Sequence, residues 1–309
     1  MKRYFKIIGT FLSLTSLVAC QDLGTKLPKE DGEKKFAEIL EYRSDNVPTS
    51  FTIKTNISCS SLIPSYEENR NVTIENYGVV NLDKLYFFLR AKKVENVIGA
   101  ENGDFTNDFF YETWTYYKDG YLYSVINEQS KTYDNQTPRK SYSKLAMSET
   151  KALALLTEDA DDTKEEIDNL YVRYTLLSSG GIFSIIGGIQ EVDLETSNYK
   201  SECTYYSKGG NGNLTVQVKT DLTVEQNSIH TNKSDIAHIE YKEKTSFTYE
   251  KYLYGNQKIN VDYLDKDSKG NEYNKINLKI KQTVEKGSTT TYPKLEDYVE
   301  LTENKNLPF

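Results

Sequence analysis

The chain has 309 residues, a formal net charge of −8 and only two histidines. Such an acidic chain lacks the basic face that nucleic-acid phosphates demand, and it does not lie flat on anionic lipid heads. Histidine-based catalysis has almost no raw material, whereas 25 tyrosines suit long, half-buried strands.

The N-terminus opens with Lys2, Arg3 and Lys6, followed by an uncharged run from Ile7 to Ala19. That run is too short for a membrane-spanning helix, which needs about 20 apolar residues, and it has the layout of a secretory signal. It ends in Leu17-Val18-Ala19-Cys20. This tetrapeptide resembles the lipobox of bacterial lipoproteins. The resemblance implies removal of residues 1–19 and a diacylglyceryl thioether on Cys20. It also implies a body held at the extracytoplasmic face of the cell membrane, since two acyl chains suffice for stable anchoring. Cleavage there removes Lys2, Arg3 and Lys6, taking the net charge from −8 to −11. Gln21 is not the aspartate that this family uses for inner-membrane retention.

Residues 20–32 read as a lipidated tether, with Gly24, Pro28 and Gly32 among charges. A first helix is predicted over 33–43, with Phe36, Ile39, Leu40 and Arg43 on one stripe, ended by Pro48. The body, 33–309, then divides into two β regions (50–145 and 200–300) around a central helical segment, about 148–190. In the first region, FTIKTNISCS places Phe51, Ile53, Thr55, Ile57 and Cys59 on one face. Runs 71–80 and 84–94 are further strands, and 109–127 is a hairpin turning at Asp119-Gly120.

From Ser148, a suitable N-cap, the period changes. Leu153, Leu156, Ala160, Thr163, Ile167, Leu170, Tyr174 and Leu177 follow helical spacing. The apolar stretch IFSIIGGI (182–189) follows Gly180-Gly181. Strands return with hairpins over 203–220 and 245–264, the latter turning at Gly255-Asn256. Run 272–284 turns Ile276, Leu278 and Ile280 inward and Tyr273, Lys275, Asn277, Lys279 and Lys281 outward. STTTY (288–292) closes the meander. The order of motifs around Cys59 and Cys203 is similar, by degenerate duplication or by coincidence of composition.

These elements predict an α+β fold: one large curved antiparallel sheet, an incomplete barrel, with helices packed on its concave face. Signal, tether, short helix and long strands with inserted helices resemble the plan of the LolA-like carriers and the LppX and LprG type of lipid-carrying lipoproteins. That resemblance implies an acyl chain between sheet and helices, and it carries over no individual site residue.

Candidate chemistry is sparse. Cys59 and Cys203 either bridge as one disulfide or stay free as buried thiols. His230 and His238 have no further ligand at metal spacing, so no metal or cofactor is expected. The run from Asp265 begins like a calcium loop, with Asp267 and Gly270. Lys269 and Ile276 stand where oxygen ligands are needed, so a hairpin turn is favoured. The row Phe110, Trp114 and Tyr116 either lines a groove or belongs to a half-buried sheet. Ile182, Phe183, Ile185 and Ile186 form either a mobile apolar lid hinged on glycines or a buried crossover. The expectation is a non-enzymatic, lipid-anchored binding protein holding an apolar ligand. The alternative is a structural or adhesive surface lipoprotein that binds protein or glycan through its Tyr-rich strands.

Overall fold

The computed structural model describes residues 24–45, 49–63, 68–99, 103–131, 139–157, 197–207, 213–227, 236–250 and 254–301. These residues form thirteen strands in one sheet, ordered β1-β8-β9-β10-β11-β12-β2-β3-β4-β5-β6-β7-β13. The strands are β1 (Thr25–Lys26), β2 (Ser50–Ile63), β3 (Glu68–Asn81), β4 (Tyr86–Ile98), β5 (Phe105–Lys118), β6 (Tyr121–Lys131) and β7 (Arg139–Ala146). After the central segment come β8 (Asn198–Ser207), β9 (Leu214–Asn227), β10 (Ile236–Glu250), β11 (Tyr254–Lys266), β12 (Glu272–Lys286) and β13 (Val299–Glu300). Pairing is antiparallel except between β13 and β7. The two β regions meet where β12 pairs with β2, from Lys286↔Phe51 to Lys275↔Leu62, so a single sheet runs through both.

Strict alternation builds this sheet. In β2, Phe51, Ile53, Thr55, Ile57 and Cys59 are all buried while Lys54, Asn56 and Ser58 are exposed, as predicted. Register carries that inner face through the sheet. Ile57 lies opposite Ile74 of β3 and Ile280 of β12, and Leu278 opposite Val261 of β11. A slip of one residue would turn every one of these side chains to the other side. The β5–β6 hairpin turns at Asp119 and Gly120, both with positive φ (50° and 83°), as its sequence requires.

Two α-helices occur among the described residues, so the fold is dominated by its sheet. Helix α1 (Lys29–Asp45) begins four residues earlier than predicted, and Glu30 and Asp31 place acidic groups in its first turn. It seats Ile39 among Tyr205, Leu214, Val216 and Val218, with Phe36 alongside. Approach is close because Gly32 has no side chain; a Cβ there would stand 2.2 Å from the Tyr205 ring. Residues 25–32 are therefore not the free tether expected over 20–32. Thr25 and Lys26 pair with Ser207 and Tyr206, and the Leu27 amide donates to Tyr205 O. Helix α2 (Glu149–Thr157) starts where predicted, and the Lys151 amide donates to Ser148 Oγ at 3.3 Å. Its buried side chains are Ala152 and Leu156, packed with Phe51, Ile53, Leu122 and Val284. Leu153, expected inward, is exposed. The rest of the central helical segment lies outside the described residues.

Two predicted elements differ. Gly255 lies inside β11, opposite Tyr249 and Val284, where a Cβ would meet Thr248 O at 1.8 Å. The turn-like glycine serves close strand approach, and the chain reverses between Glu250 and Tyr254. Residues 288–292 do not close the meander as a strand. Segment 287–301 instead crosses the outer face as a strap and ends in β13, beside β7.

Candidate functional site

The inner face carries its largest apolar field over β9, β10, β11, β12, β2 and β3. Leu222, Val224, Ile239, Val261, Ile276, Leu278, Ile57 and Ile74 form it with Tyr241, Tyr263 and Cys59. All are buried. Neither described helix contributes a residue to this field; α1 and α2 belong to separate clusters.

Polar residues border the field. On one side Gln257, Gln282, Thr55 and Asn76 stand in register across four strands. Gln282 Nε2 donates to Thr55 Oγ1 at 3.2 Å. This row separates the field from the α2 cluster. On another side lies an ionic group: Glu95 is bridged by Arg70 (3.6 Å) and Lys93 (3.0 Å). Within β10, Glu243 is 7% exposed. It accepts hydrogen bonds from Tyr241 Oη and Thr245 Oγ1. Burial pushes its carboxyl up to about 7, and those two hydrogen bonds offset part of the rise. Near neutral pH Glu243 therefore shifts between a neutral and a charged form inside an apolar wall.

The opposite face of β3–β7 is aromatic and already occupied. The strap's Thr291 carbonyl accepts from Tyr86 Oη (2.7 Å) and from Trp114 Nε1 (3.1 Å). The Tyr292 ring stands edge-on to Tyr86 and Tyr116, with centroids 5.4 and 5.0 Å away. Tyr298 meets Trp114 at 6.4 Å. Trp114 and Tyr116 are thus buried by the chain itself, while Phe110 of the same row remains half-buried. Sequence reasoning missed this strap because its residues, Thr291, Tyr292 and Tyr298, have no strand period. Its one signal was Pro293, which argues against a paired central strand.

The remaining sequence-derived sites resolve individually. Cys59 is buried and Cys203 exposed, and both are free thiols. Of the two alternatives the sequence left open, the bridge is not formed, since β9 to β12 separate their strands in the sheet order, and of the two free thiols only Cys59 is buried. Burial pushes the Cys59 thiol up to about 11, so it is inert at neutral pH. His238 sits between Glu225 (3.7 Å) and Glu240 (3.8 Å). No metal-binding group of three or more His, Cys, Asp or Glu occurs among the described residues. Segment 265–276 is the hairpin turn expected. Asp267 carboxylate oxygens accept from the Lys269 and Asn271 amides, both at 2.8 Å, and from Asn271 Nδ2 at 2.7 Å. Those bonds, the Asn271 side chain first, hold the Asp267 carboxyl below its ordinary range. Cys20, His230 and the run Ile182, Phe183, Ile185 and Ile186 lie outside the described residues.

No described helix is long and apolar enough to cross a membrane. No protein-family model and no curated protein matches the chain. Among solved structures, the crystal structure of CghA aligns with 6% identity and a TM-score of 0.14, covering 80% of this chain and 91% of that one. A likeness so slight carries no argument.

Proposed function

We propose that the protein is a lipid-anchored, extracytoplasmic binding protein that holds an apolar ligand against the inner face of its sheet. The observation that carries this reading is the six-strand apolar field to which neither described helix contributes. In this reading the sheet curves as an incomplete barrel around its inner face, with α1 and α2 covering flanking parts of it. Ile182, Phe183, Ile185 and Ile186 complete the cover as a glycine-hinged lid, and the ligand lies beneath them. The polar row through Gln282 and Thr55 and the ionic group around Glu95 limit how far an acyl chain extends. Anchoring rests on the lipobox at Leu17–Cys20. No group in the described site points to bond-breaking chemistry.

The adhesive alternative is weaker, because the aromatic face it would use is already covered by Thr291, Tyr292 and Tyr298. A fluorescent apolar probe tests the proposal. Wild-type protein should bind it, and the Phe183→Asp/Ile186→Asp variant should stay folded and lose that binding. A folded variant with unchanged binding contradicts the lid, and an unfolded one marks the segment as core.

A further inference from the structure

We propose that a second copy of this chain pairs antiparallel with the free edge of β8, about a two-fold axis through Ser201. The proposal is independent of the ligand reading. Among the described residues, the outer side of β8 is paired only at its end, where Thr25 and Lys26 meet Ser207 and Tyr206. The Leu27 amide also donates to Tyr205 O. Residues 198–204 remain, and Asn198–Cys203 are all exposed. An unpaired edge of this length is a template for another strand, and Ser201 is its midpoint.

Three features select a second copy as the partner. The Leu27–Tyr205 bond shows that Tyr205 turns its carbonyl to the free edge, so alternation turns Cys203, Ser201 and Tyr199 the same way. With the axis at Ser201, the two Ser201 residues exchange backbone hydrogen bonds. Tyr199 of each copy does the same with Cys203 of the other. Next, Lys200 and Glu202 flank the axis, so Lys200 of each copy faces Glu202 of its mate. Moving the axis by one residue would instead oppose lysine to lysine or glutamate to glutamate. Finally, within one chain Lys200 lies opposite Asp221 and Glu202 opposite Lys219. The pair would therefore carry two rows of alternating charge, Asp221–Lys200–Glu202–Lys219, each running from one copy into the other. Lys200 and Glu202 form no ion pair among the described residues, which leaves both for a mate. Such an isologous contact closes as a dimer.

Disulfide trapping in full-length protein tests this. In a Cys203→Ser background, Ser201→Cys should give a covalent dimer under mild oxidation, since directly opposed Cα atoms lie about 5.5 Å apart. Ser268→Cys, in the exposed turn after Asp267, should not. Wild-type Cys203 should crosslink poorly, because the two sulfurs are offset by about 13 Å along the strands. Lys200→Glu or Glu202→Lys, each added alone to Ser201→Cys, should cut the dimer yield several-fold. Coexpression of the two should restore it as a heterodimer, because opposite charges then face each other. Equal trapping at 201 and 268, a yield indifferent to charge reversal, or failure of the mixed pair to crosslink would overturn the proposal.

Discussion

Glu243 shows how one side chain can set a pH dependence. Its folded-state pKa, about 7, lies above the ordinary carboxyl value, so the folded form holds the proton more tightly than the unfolded chain. The resulting destabilisation is absent below about 4.5, grows as pH rises, and is complete above about 7. Glu243→Gln should therefore stabilise the protein at pH 8, by up to about 3 kcal/mol, with the gain vanishing near pH 4.5. Denaturant titrations at both pH values check this, and a pH-independent gain would contradict the burial argument. The thiols give a second residue-scale test. A maleimide should label Cys203 in the native protein and reach Cys59 only after unfolding. The inward position of Cys59 was legible in the alternation of β2. Its free state was not, because sequence spacing carries no information about which strands lie between two cysteines.

At the scale of elements, the strap contributes a large part of the aromatic packing on the outer face. Trp114 is the only tryptophan in the chain, so its fluorescence reports directly on that contact. Tyr292→Ala should cost about 1–2 kcal/mol from the two edge-on ring pairs it removes. It should also shift Trp114 emission to the red as water reaches the indole. An unshifted spectrum would mean that the strap does not shield this residue. Strands and the 119–120 hairpin were readable because period two and a positive-φ dipeptide are local signals. Gly255 misled because close strand approach and a tight turn both call for glycine, and only pairing distinguishes them. In α2, Leu156 was read inward and is buried, but Ala152 is buried in place of Leu153. Which face of a short helix meets the sheet depends on the surface it lands on.

For the whole molecule, one sheet of thirteen strands joins the two β regions through β12 and β2, a long-range pairing that no local pattern encodes. The inner apolar field was legible in the alternation of β2 and β12, but Leu222, Val224, Ile239 and Tyr241 lie outside the predicted strand runs; the extent of the field across six strands and its polar borders emerged only with the register. Anchoring is tested by Cys20→Ser, which should release the body from membranes or leave the signal uncut. Unchanged processing and membrane retention would remove the lipobox reading. The central claim, that the inner face holds an apolar ligand, is tested most directly by native mass spectrometry of gently purified wild-type protein. The account predicts a bound species of lipid mass that leaves on mild activation and is replaced by an added fatty acyl probe. A bare protein mass together with no uptake of the probe would contradict it.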